Sequence, residues 1–171
     1  MVISAAMAGL ALVLPVAFHM TGLGSKFLPM LLPLLLNGFF VAVPWALLTG
    51  AVTPLVSSLA TGMPPLYPPV ALSMSVEGAV LGGVAAALFR GNPKRLWIAL
   101  PAAVALGRLS TLATTFLLAR LFDLPPGFAS AAVLVQGLPG VALQLAAVPL
   151  AVSALSRRHG ILFVHEPQSE A

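Results

Sequence analysis

Between Lys26 and Glu77 the chain runs fifty residues, Phe27 to Val76, without one charged side chain. A soluble domain of this size needs charged faces to meet water, and a block like this offers none. A helix crossing hydrocarbon takes about 20 mostly apolar residues at a rise of about 1.5 Å each, so the block holds two short crossings. The bilayer is therefore the solvent in which to read the sequence. The rest of the chain agrees: 60% of its residues are hydrophobic, 7% are charged and mean hydropathy is +1.07, against about 25% charged in soluble domains. At 171 residues it reads as one compact membrane domain.

The same residues exclude several functions. A net charge of +4 invites a nucleic-acid reading, but the eight basic residues are scattered at helix ends and form no continuous stripe. With no cysteine there is no disulfide staple, thiol nucleophile or iron–sulfur site. There is no GxxxxGK[ST] phosphate loop, no HExxH, no GxSxG and no aspartate pair of a lipid phosphotransferase. A membrane enzyme acting on lipid would need a nucleophile with its base, or a metal cluster. No enzyme activity and no cofactor is therefore expected.

Proline, glycine and charge punctuate the apolar text into six helices, at about 2–20, 28–43, 45–61, 69–89, 96–119 and 130–155. Met1 to Ser25 lacks a basic leader, and its apolar run continues past any cleavage point, so it is read as the first span. Val43-Pro44-Trp45 is the expected turn between the second and third helices; without it the count is five. Arg90, Lys94 and Arg95 precede two crossings and Arg157 and Arg158 follow them, so both groups share a side, which the positive-inside rule makes cytoplasmic. Both termini then lie inside, and the loops around Lys26, Tyr67 and Asp123 lie outside. Trp45 and Trp97 at inner helix ends and Tyr67 near an outer one suit rings that seek the headgroup level. Arg120 is expected to snorkel outward and pair with Asp123. The expectation is an all-α integral membrane protein: a six-helix transmembrane domain over 1–158, then a solvated cytoplasmic tail over 159–171.

Ionisable groups inside hydrocarbon cost at least about 2.5–3.5 kcal/mol each on insertion scales, so they are usually paired, interior and functional. Glu77 lies about 12 Å deep on the fourth helix and Arg108 about 17 Å deep on the antiparallel fifth, where their side chains could meet. Asn37 at about 14 Å, Gln136 at about 9 Å and His19 at the outer end of the first helix complete a polar outer half. Such a layout suits an outward-facing pocket for a small polar solute, with Arg108 available to an anionic group. It equally suits a buried ion pair that fixes helix register, with interhelical hydrogen bonds beside it. His19 also reads as an ordinary interfacial histidine, and no metal site is supported. The loop from Thr61 to Pro69 carries Pro64-Pro65 and Pro68-Pro69, which are expected to hold it extended and stiff, either as a lid bearing Tyr67 or as a rigid turn. On the first helix, Ser4 with Ala8 and Ala5 with Gly9 place small residues four apart, as close helix approach requires.

Three blocks carry a resemblance: Phe27-Leu28-Pro29-Met30, the run from Thr53-Pro54 through Gly62-Met63-Pro64-Pro65, and the helix bearing Glu77. Over roughly Ala5 to Leu155 the chain resembles a substrate-binding S component of an energy-coupling factor (ECF) transporter. The resemblance implies a multi-pass protein of the prokaryotic plasma membrane that captures a small water-soluble vitamin or precursor near its outer face. It further implies delivery through a transmembrane scaffold subunit and two ATPases, which alone would use ATP. It implies that Ala5 and Gly9 match the family's scaffold-contacting motif, and that substrate is delivered by toppling within the membrane, a motion that few outer charges would ease. The expected ligand-binding set is Glu77, Arg108, Asn37, Gln136, His19 and Tyr67. Leu31 departs from the histidine expected after the Pro-Met pair, which weakens substrate assignment from relatives. Met1-Val2-Ile3 lacks the early Met-His pair of nickel and cobalt members, which disfavours a metal-ion substrate. The alternative is a structural or assembly subunit without a small-molecule pocket.

Overall fold

The computed structural model describes residues 1–20, 28–125, 135 and 137–159, and the side chains within them except at positions 19, 20 and 155–159. All regular structure in these residues is helical. The helices are α1 (Val2–Met20), α2 (Leu31–Phe40), α3 (Val43–Thr61), α4 (Val70–Phe89), α5 (Leu96–Leu121) and α6 (Leu138–His159), with a 3₁₀ turn at Pro93–Arg95 before α5. Three are long and apolar enough to cross a membrane: α3, α4, and α5 with the turn that leads into it. The other three carry shorter apolar stretches.

The break between α2 and α3 falls at Val41–Ala42, not at the expected Val43-Pro44-Trp45 turn. Val41 is extended and closes α2 by donating its N–H to the Asn37 carbonyl; Ala42 is extended before α3 begins. Pro44 therefore sits in the first turn of α3, where its missing N–H has no helical partner to lose and its fixed φ suits the helix. The Gly62–Pro69 loop also departs from expectation. It is a run of bends and turns rather than an extended strap. Gly62 adopts φ +73° to end α3, Ser57 donates its hydroxyl to the Met63 carbonyl, and the Pro65 and Pro68 carbonyls accept from Ala71 and Val70 at the start of α4. The carbonyls of the loop thus satisfy donors at both helix ends.

α4 is the hub. Of its apolar window 56% is buried, against 33% for α3 and 39% for the α5 segment. Small residues on α4 allow this. Gly78 faces Gly50 of α3, and Gly82 faces Gly38 of α2, each pair so close that a Cβ at Gly50 or Gly38 would overlap the opposing backbone. Pro54 adds a reason for the first contact, since it has no N–H for the Gly50 carbonyl four residues back. That carbonyl instead lies against Gly78, where a Cβ would come within 2.7 Å of it. On its other side α4 runs antiparallel to α5: Ser73 meets Thr115, Glu77 meets Arg108, and Leu81 meets the space at Gly107.

The apolar core lies toward the end of the bundle that carries Arg90, Lys94 and Arg95, here the basic end. It is built from Leu34, Leu35 and Phe39 of α2, Leu81, Ala85 and Phe89 of α4, Leu100 and Ala103 of α5, and Val148 and Val152 of α6. Phe39 and Phe89 meet edge to face at 5.1 Å between ring centres. Toward the opposite, proline-rich end, hydroxyls replace much of the hydrocarbon.

Candidate functional site

Glu77 and Arg108 are the only charged side chains that are not solvent-exposed among the described residues. α4 brings Glu77 to the face it shares with α5, and Arg108 Nη2 lies 2.7 Å from Glu77 Oε1. The glutamate side chain is 3% exposed and the arginine 14%. The approach is off the N–H direction, so the contact is a charge pair and not an aligned hydrogen bond. Thr111, next along the same face of α5, donates its hydroxyl to the Gly107 carbonyl. Gly137, just before α6, abuts the other side of the guanidinium; a Cβ there would stand 2.9 Å from Nη1. The two charges answer each other, so the anion that Arg108 was expected to receive would have to compete with Glu77.

Asn37 sits on the buried face of α2 with no solvent exposure, and neither its Oδ1 nor its Nδ2 has a hydrogen-bond partner. It precedes Gly38, which packs on Gly82, so it lies level with Leu81 of α4, about 6 Å along the helix axis from the level of Glu77, toward the basic end. Gln144, which the sequence reading passed over, is its counterpart on α6: 1% exposed, with both Oε1 and Nε2 unpaired. Its signal was present in the sequence. Gly137, Gly140, Gln144, Val148 and Val152 recur at helical spacing and are all buried, so Gln144 belongs to the inward stripe of α6. α2 packs on α6. Around these amides, most hydroxyls of α3, α4 and α5 are spent on their own helices, as in Thr53 to the Thr49 carbonyl and Ser75 to the Ala71 carbonyl. Ser73 and Thr115, 3.2 Å apart, bridge α4 and α5.

The remaining expected site residues are placed differently. Tyr67 is 70% exposed in the proline-rich turn. His19 lies in the last turn of α1 and its side chain is outside the described residues, as is the whole of Gln136. Arg120 does not pair with Asp123: its guanidinium lies 4.6 Å from the centre of the Phe116 ring, one turn back on the same helix. The reason is geometric. Phe122 ends the helix and Asp123 takes φ +49°, carrying its carboxylate off the helical path, while Phe116 offers a π face at the favoured four-residue spacing. Ala5 and Gly9 lie on the exposed face of α1, with open space beside Gly9, whereas Ser4 and Ala11 face inward.

No group of three or more His, Asp or Glu residues able to hold a metal occurs among the described residues. Comparison with protein-family models, with curated proteins and with solved structures finds no match.

Proposed function

We propose that this chain is the membrane-embedded capture subunit of an ECF-type importer. It takes a small water-soluble solute from the outer side of a prokaryotic plasma membrane and passes it to a transmembrane scaffold driven by two ATPases. The observation that supports this most is the unpaired state of Asn37 and Gln144, both sealed inside the helix assembly that also buries the Glu77–Arg108 pair. Native interiors rarely leave buried amides without partners, since each unpaired group costs about 1–3 kcal/mol. A solute that supplies the missing hydrogen bonds accounts for keeping them. The open face of α1 at Ala5 and Gly9 supports a docking role for that helix, because small residues let a second helix approach closely.

A second reading, an assembly subunit without a ligand, draws on the mutual pairing of Glu77 and Arg108, which fixes α4 against α5 with no solute present. Purification of the tagged chain from its native membranes in mild detergent separates the two. Capture predicts that a transmembrane scaffold and two ATPases copurify with it, and that Gly9→Leu removes them while the chain remains folded. Copurification of neither, or retention of all three by Gly9→Leu, counts against it.

A further inference from the structure

Besides its hydroxyls, of which Ser4 and Ser58 are also buried without partners, the interior contains a charged pair and two carboxamides, and these make different demands. Glu77 and Arg108 have opposite charges 2.7 Å apart and cancel. Asn37 and Gln144 are neutral, and between them they leave two oxygens and two amide nitrogens without partners at 0% and 1% exposure. A carboxamide presents an acceptor and a donor side by side in one plane. What satisfies both at once is a group of the same kind: the C=O and N–H of a lactam, a ring imide or a primary amide. A carboxylate offers only acceptors and would leave both amide oxygens unpaired, besides bringing a net charge into a neutral interior. An ammonium ion offers only donors and fails the same way.

The positions support joint action. α6 starts with Gly137 against the Arg108 guanidinium, so Gln144, seven residues on, lies about 10 Å along that helix. Asn37 lies about 6 Å past Glu77 on the neighbouring α2, so both amides are on the basic-end side of the ion pair, on helices that pack together.

Resting on the capture-subunit reading, we infer that the solute is uncharged and enters amide edge first, past the ion pair, to be bound by the carboxamides of Asn37 and Gln144. The ion pair and Thr111 then flank the solute without supplying a counter-charge.

Titration of the detergent-solubilised full chain with matched probes tests this, with thermal unfolding and tryptophan fluorescence as readouts. The probes are 2-pyridone and uracil as lactam edges, benzamide as a primary amide and benzoate as the carboxylate counterpart. At least one lactam or amide probe is expected to bind about ten-fold or more tightly than benzoate. Asn37→Leu and Gln144→Met are each expected to weaken that probe about ten-fold or more, without lowering the unfolding temperature of the probe-free protein, because an idle buried amide is replaced by hydrocarbon of similar size. Asn37→Ala and Gln144→Ala, checked by gel filtration, repeat the test should a larger side chain fail to pack. The inference is overturned by benzoate binding as tightly as the amides, by amide binding unchanged in both variants, or by no lactam or amide probe binding up to about 10 mM. Benzoate binding that is lost in Arg108→Ala overturns the amide edge and leaves the capture reading standing. The capture reading itself falls on the separate copurification result.

Discussion

Arg108 and Glu77 form an ion pair across α4 and α5 in which the carboxylate is almost wholly buried and the arginine side chain is 14% exposed. Removing one partner of a buried pair leaves the other charge uncompensated, at a cost of about 3–5 kcal/mol, whereas replacing both with apolar residues is often neutral or stabilising. Glu77→Leu and Arg108→Leu should therefore each lower the unfolding temperature sharply in detergent, and the double variant should recover most of the loss. Equal additive losses would show that the two charges do not depend on each other.

The contact of Gly50 with Gly78 has no room for a methyl group, because the nearest atom facing each glycine is a backbone oxygen that cannot rotate away. Gly50→Ala and Gly78→Ala should each destabilise by about 2 kcal/mol or more, within the range for overpacked interiors and opposite to the gain that alanine normally brings to a helix. Gly9→Ala provides the contrast. Gly9 is exposed with open space around it, so its unfolding temperature should stay level or rise. Thermal scans of the three single variants check the sign at each position.

The parts of this molecule that could be read from sequence are those set by length and by cost. Five of the six helices described begin within about three residues of the expected positions, because apolar runs between polar or proline breaks leave few places for a helix to start. Glu77 and Arg108 stood out because a charge in hydrocarbon is costly wherever it points. What could not be read was direction. Depth alone singled out Asn37 and Gln136 and passed over Gln144; only the face each residue occupies, set by Gly38 on Gly82 and by the inward stripe of α6, shows that Asn37 and Gln144 are sealed. Arg120 was assigned to Asp123 by proximity in sequence, which cannot reveal that the chain turns to positive φ before the carboxylate. The α2–α3 break was placed at Pro44 by the rule that proline interrupts helices, where its tolerance of a first turn decided the outcome.

Gly137 should tune the ion pair with little effect on the fold. A Cβ there would meet Arg108 Nη1 at 2.9 Å and Leu28 Cδ1 at 3.1 Å, both ends of side chains that can swing. Gly137→Ala should thus cost less stability than Gly78→Ala but turn the guanidinium away from its present seat. In a double-mutant cycle, the penalty for Glu77→Gln should shrink by about 1 kcal/mol in the Gly137→Ala background. An unchanged penalty would mean that the guanidinium keeps its hold on Glu77 despite the methyl group.

Ser73 and Thr115 test how much an ordinary hydroxyl contributes between helices in this apolar setting. Their oxygens are 3.2 Å apart and both residues are buried. Such interhelical bonds average about 0.6 kcal/mol in membrane proteins, because an unfolded helix in lipid also finds partners. The cycle of Ser73→Ala with Thr115→Val should give a coupling near that value, several-fold below the Glu77–Arg108 coupling. Thr53 is the internal reference: its hydroxyl donates to the Thr49 carbonyl of its own helix, so Thr53→Val should show no coupling to Ser73→Ala. If Thr53 couples as strongly as Thr115 does, the hydroxyls act through general packing of α3, α4 and α5, and the single bridge between α4 and α5 carries no special weight.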